Sequence, residues 1–149
     1  MIGMLLISHG GMAEGMLDSM ELIMGSCEQM HTVSLCAGED FESFRTKVMD
    51  AIRLLDSGDG VLVFVDLYGA SPFNAAVYAA ARMAQEGRNV RVLAGMNLAM
   101  LLETAAMRIS SSLQELEKDY GIDVYFQAIP SSRRVSLKEA ARLFEEHSA

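Results

Sequence analysis

Val61-Leu62-Val63-Phe64-Val65-Asp66-Leu67-Tyr68-Gly69-Ala70-Ser71-Pro72-Phe73-Asn74 decides the fold. Five consecutive apolar residues, three of them Val, read as a strand buried on both faces. Asp66 ends the run, and Gly69 supplies a turn. Ser71 reads as a helix N-cap with Pro72 at the first helical position, opening an Ala-rich helix to Glu86. Strand, polar tip, glycine turn and capped helix together make half of a βαβ unit.

The same unit recurs on either side. Strand-like runs are Ile2–Ile7, Met30–Leu35, Val90–Ala94 and Ile122–Ala128. Met12–Met24 and Asp40–Leu55 between them carry apolar residues at helical spacing. Asn97 reads as the cap of a helix over Leu98–Met107. Ser112-x-x-Glu115 and Ser136-x-x-Glu139 read as capping boxes, with Gly121 as a stop. The expectation is an α/β fold: a doubly wound, mostly parallel sheet in order 2-1-3-4 with helices on both faces. Val124-Tyr125-Phe126-Gln127 is more amphipathic, so the fifth run is expected as an edge strand, antiparallel to the rest. Residues 1–149 read as a single domain, and 130–149 as a C-terminal helical extension without an assigned role.

Composition removes several function classes. The net charge is −8, and residues 1–44 contain seven carboxylates and no Lys or Arg. A nucleic-acid binder needs a basic stripe, and none is visible. The apolar runs are shorter than the roughly 18 residues of a membrane span, and no basic residue precedes the first. A cytoplasmic protein is therefore expected. Cys27 and Cys36 make neither a disulfide framework nor a zinc set, so no metal or cofactor is expected. The 12 Met read as core filler.

Ligands of open α/β sheets gather at the carboxyl ends of the strands, where strand order reverses. Order 2-1-3-4 makes the tips of strands one and three neighbours, which brings His9 beside Asp66. Gly10 and Gly11 clear bulk around the ring. His31 and His147 read as exposed bystanders. Other chemistries fail. Gly10-x-x-x-x-Gly15 has Walker-A spacing, but Met16 stands where the lysine belongs. Gly69-x-Ser71 lacks the second glycine of a nucleophile elbow, because Phe73 occupies it. What remains is an imidazole, a carboxylate, hydroxyls and helix N-termini. That set suits phosphoryl transfer onto nitrogen: one ring nitrogen attacks phosphorus while a carboxylate holds the other.

Ile-Ser-His9-Gly, Val-Asp66, Gly69-Ala70-Ser71-Pro72-Phe73-Asn74 and Ala94-Gly95-Met96-Asn97-Leu98-Ala99-Met100-Leu101-Leu102-Glu103, in this order and spacing, resemble the mannose-family enzyme IIA component of the bacterial phosphoenolpyruvate:sugar phosphotransferase system. The resemblance implies a phosphocarrier. It would take a phosphoryl group from the phosphocarrier protein HPr onto His9 Nε2 and pass it to a IIB component. IIB serves the membrane components IIC and IID. The resemblance makes Asp66 the partner of Nδ1 and Ser71 the hydroxyl near the phosphoryl group. Gly10, Gly38, Gly69 and Asn74 would line the site. It further implies a homodimer that exchanges its edge strand, residues 122–128 here. IIB is expected on a separate polypeptide.

Two departures from the family pattern stand near the site. Gly11–Met12 replaces the bulky aromatic that often follows the active histidine, and Leu67–Tyr68 occupies the segment after Asp66. Two alternatives stay open. One is the phosphotransfer subunit of a phosphoenolpyruvate-dependent dihydroxyacetone kinase, which has the strand-tip histidine but generally lacks Gly-x-Ser-Pro-x-Asn. The other is a non-catalytic flavodoxin-like module for a small anion or nucleotide. The sugar is not encoded here.

Overall fold

In a computed structural model, residues 1–120 of the chain are described. The elements run β1 (Gly3–His9), α1 (Met12–Met24), β2 (Met30–Leu35), α2 (Phe41–Leu55), β3 (Val61–Val65), α3 (Ser71–Gln85), β4 (Val90–Ala94), α4 (Leu98–Met107) and α5 (Leu113–Tyr120). The four strands form one sheet in order β2-β1-β3-β4. Every pairing is parallel. The predicted antiparallel strand 122–128, the extension 130–149 and the helix signals at Gly121 and Ser136 lie outside the described residues.

The alternation of side chains along the strands divides the core into two layers. Leu5, Ile7, Val61, Val63 and Val65 face Phe44, Val48 and Ile52 of α2 and Ala75, Ala79 and Met83 of α3. Met4, Leu6, Leu62 and Phe64 face the other way, onto Ala13 and Met20 of α1, Leu101 of α4 and Leu116 of α5. β3 is buried along its whole length because it is central and covered twice. The alanines of α3 let that helix lie close to the sheet.

Two elements differ from expectation. β1 extends beyond Ile7 to His9, because His9 still pairs with Leu35 of β2. Ser71 is not the cap of α3: Ala70 takes that position in extended backbone without a side-chain cap bond, and Pro72 falls within the first two helical positions. The Asn74 amide instead donates to the Gly69 carbonyl at 3.2 Å and closes the loop before the helix. Asn97 caps α4 as expected, its Oδ1 accepting the Met100 N–H at 3.0 Å. Ser112 and Glu115 make the reciprocal box at the start of α5.

At the opposite end of the sheet the strand starts are tied by a buried cation that the sequence did not reveal. Arg108, 6% exposed, donates to the carbonyls of Ile2 and Gln29 at 3.1 and 3.2 Å and to that of Glu28. Burial pulls its pKa below the usual arginine value. Gly60 is required here. Its φ is +88°, and a Cβ would stand 2.6 Å from the Asn89 carbonyl oxygen, which already accepts the Val61 N–H.

Candidate functional site

His9 and Asp66 occupy adjacent strand tips. Ile7 pairs with Val65, and the ladder continues one step as the Asp66 N–H donates to the Ile7 carbonyl at 3.2 Å. That register carries the carboxyl of Asp66 under the backbone and ring of His9. Its Oδ2 accepts the His9 main-chain N–H at 2.8 Å and lies 2.7 Å from Nδ1. Its Oδ1 accepts the Leu67 N–H at 2.8 Å. Both oxygens already serve as acceptors, so Nδ1 is the donor in the ring contact. The neutral imidazole then carries its lone pair on Nε2. The side chain of His9 is 50% exposed and that of Asp66 11%. The carboxylate is therefore largely buried and the ring half open to solvent.

The surrounding tips are held by their own bonds. The Gly10 N–H donates to the Leu35 carbonyl at 2.9 Å, and Gly10 adopts φ +54°, which a side chain would oppose. Beyond β2, Gly38 sits in a turn closed by Glu39, whose Oε2 accepts the Cys36 N–H at 3.0 Å. The Lys47 ammonium and the Cys36 N–H hold the Glu39 carboxyl below its ordinary pKa, and the ion pair ties α2 to this loop. Ser71 stands half-buried at the first residue of α3, where its N–H precedes the helix's own bonding ladder.

Of the residues singled out in the sequence, hydrogen bonds join His9 to Asp66 alone. Among the described residues, none links Ser71, Gly38, Gly69 or Asn74 to that pair. His31 is exposed on β2, away from the tips. A residue the sequence reading missed is Ser8, whose buried hydroxyl holds the start of α1. The signal was available: Gly11, just before α1, has no side chain to cap with. Past the tips of β1 and β3, the large apolar side chains of Met12, Leu67 and Tyr68 are exposed, the last resting on Phe73 with ring centroids 4.6 Å apart. The cavity of about 500 Å³ between Met1, Asp59, Arg108 and Ser110–Ser112 lies at the other end of the sheet.

No helix among the described residues is long and apolar enough to cross a membrane. Nor do three His, Cys, Asp or Glu side chains gather there to hold a metal ion.

Known proteins resemble this chain in sequence and fold. Residues 3–120 match the EIIA-man family, described as the PTS (phosphotransferase system) fructose IIA component. The PTS system mannose-specific EIIAB component of Escherichia coli (strain K12) is 35% identical over 107 residues, which are 72% of this chain and 32% of that protein. The chain thus spans about a third of that relative's length. The PTS system fructose-specific EIIA component of Bacillus subtilis (strain 168) is 28% identical over 116 residues, 78% of this chain and 77% of the relative. The crystal structure of phosphotransferase system component EIIA from Streptococcus agalactiae superposes with a TM-score of 0.76 at 26% identity, covering 88% of this chain and 97% of that one. These relatives are sugar phosphotransferase components, so the dihydroxyacetone kinase subunit is not favoured. By a family match spanning all nine elements of the described residues, the chain belongs to the mannose-family EIIA phosphotransfer components of the PTS.

Proposed function

We propose that this chain is a phosphocarrier that accepts a phosphoryl group from phospho-HPr on His9 Nε2 and hands it to a IIB component. The single observation that carries the reading is the Asp66 carboxylate, gripping both the backbone and the Nδ1 of a half-exposed histidine.

The Nε2 lone pair attacks the phosphorus of the donor's phosphohistidine. The phosphorus–nitrogen bond in the donor breaks, and its electron pair returns to the donor ring. The new bond leaves a positive charge on the His9 ring, because the Nδ1 proton stays in place. Asp66 balances that charge at 2.7 Å without moving. The helix starts after Gly11 and Ala70 offer positive dipole ends to the anionic group. Ser71 contributes a hydroxyl donor beside it, and Gly10, Gly38, Gly69 and Asn74 shape the surrounding loops. The second transfer repeats the first in reverse, with the IIB nucleophile attacking the phosphorus held on His9.

Met12, Leu67 and Tyr68 form the apolar rim on which HPr and IIB dock in turn. The carrier works in the cytoplasm as a homodimer, and its products reach the membrane components IIC and IID only through IIB. Incubation with phosphoenolpyruvate, enzyme I and HPr, followed by intact-mass measurement, tests the reading. The expected result is one phosphoryl group, labile in acid, stable in base and absent from His9→Ala. A protein that stays unmodified, or a phosphoryl group that survives His9→Ala, refutes it.

A further inference from the structure

Ser8 immediately precedes the nucleophile and is completely buried. Its hydroxyl donates to the Gly10 carbonyl at 3.1 Å and accepts the Ala13 N–H at 2.8 Å. The cap residue of α1 is Gly11, which has no side chain to offer. An ordinary capping side chain accepts the N–H two or three residues into the helix. Ala13 is the second helical residue, so Ser8 makes, from the end of the strand, the bond that position 11 would normally make.

The arrangement has a chemical consequence. Moving the capping oxygen back to Ser8 leaves position 11, two residues after the histidine, free to be glycine. The turn is pinned at three successive groups: the His9 N–H on Asp66, the Gly10 N–H on Leu35, and the Gly10 carbonyl on Ser8. The N–H groups of Gly11 and Met12 precede the helix ladder and have no partner within it. Side chains alternate along a strand, so Ser8 points into the core while His9 faces the other way.

Building on the phosphocarrier reading, we infer that Ser8 is a positioning residue. Its hydroxyl sets the start of α1 and the His9–Gly11 turn so that the Gly11 and Met12 N–H groups meet the phosphoryl group on His9. It touches no substrate and acts through the backbone of its neighbours.

The test compares wild type with Ser8→Ala, Ser8→Thr and the double variant Ser8→Ala/Gly11→Ser, each phosphorylated through enzyme I and HPr. Uptake rate, lifetime of the isolated phosphohistidine, thermal midpoint and the amide resonances of Gly11 and Met12 are followed. In wild type both amides are expected to shift on phosphorylation. Ser8→Ala is expected to lose those shifts and to slow uptake by about three- to tenfold, the effect of one misplaced hydrogen bond. Ser8→Thr, which keeps the hydroxyl, restores both. The double variant puts an ordinary cap on α1, for which Gly11 has room. It should recover thermal stability without recovering the shifts, because the Gly10 carbonyl stays untied. It also keeps the test valid if Ser8→Ala does not fold. Wild-type shifts and uptake in Ser8→Ala, or their full recovery in the double variant, overturn the inference and leave a cap alone. Failure of the wild type to accept phosphate refutes the carrier reading itself, a separate result.

Discussion

Replacing Asp66 by asparagine isolates the charge of the grip from its shape. Both oxygens of Asp66 accept hydrogen bonds, two donors on Oδ2 and the Leu67 N–H on Oδ1. An amide can satisfy only one end. With its NH2 toward Leu67, it sets donor against donor but keeps the ring contact. With its NH2 toward His9, it faces the main-chain N–H and drives the ring to carry its proton on Nε2, which removes the nucleophile. Even the better rotamer loses the charge-assisted part of the bond. Such bonds contribute about 1.5–3 kcal/mol. The ring is 50% exposed, so solvent screening places the loss in the lower half of that range. At about 1.4 kcal/mol per factor of ten, phosphoryl uptake should fall by about 10- to 40-fold. Rapid-quench mixing with phospho-HPr measures the rate, and nitrogen resonances of the ring measure the tautomer. Uptake within about twofold of wild type, with the Nδ1–H tautomer retained, would show that the carboxylate charge is not used.

Glu14 and Asp18 are exposed on α1, and Glu14 also accepts the Ser34 hydroxyl at 3.2 Å near the β2 tip. Reversing both to Lys should slow uptake from HPr by about two- to tenfold at low ionic strength and little at high salt. Equal rates at low salt would reject steering. Away from the site, burial pushes the Asp56 carboxyl up. The Gly58 N–H, the Arg88 guanidinium and the Gly60 N–H outweigh it and hold its pKa below the ordinary value. A depressed carboxyl stabilises the fold above its unfolded pKa of about 3.9, and that stability is lost as pH falls through the folded value. Asp56→Asn should therefore lower the thermal midpoint by about 4–8 °C at neutral pH, from a loss of about 2 kcal/mol. The gap from wild type should close in acid below about pH 4. A gap that persists unchanged there would contradict the assigned charge.

The strand runs were legible because burial on both faces leaves so little freedom of composition. Val61–Val65 and Val90–Ala94 have the same limits in sequence and structure. The Asn97 and Ser112 caps were legible because their bonds are local. The start of α3 was not, because two neighbours compete for it. Asn74 ties down Gly69, so Ala70 takes the extended cap position and Ser71 enters the helix. Topology brought His9 beside Asp66, but spacing holds no sign that one oxygen would accept both the ring and the backbone. Arg108 was invisible for a similar reason. Its partners are carbonyls of Ile2, Glu28 and Gln29, and carbonyls leave no mark in a sequence.

Glycine at position 11 links the two departures from the family pattern. A bulky side chain after the active histidine would crowd the rim on the α1 side. Its absence leaves Met12 at the helix start, 41% exposed. On the opposite side Tyr68 stands 65% exposed and rests on Phe73. An exposed aromatic ring at this end of the sheet is thus carried by the β3–α3 loop. In the proposed relay a docking protein must close over Nε2 and exclude water while phosphorus changes partner. Tyr68 offers a broad apolar face at low entropic cost, because it has few rotatable bonds and a ring to lean on. The loop that carries it is the one that Asp66 anchors through the Leu67 N–H. A single carboxylate therefore orients both the His9 ring and the loop that carries Tyr68, so in the proposed relay a partner that reads one reads the other in register.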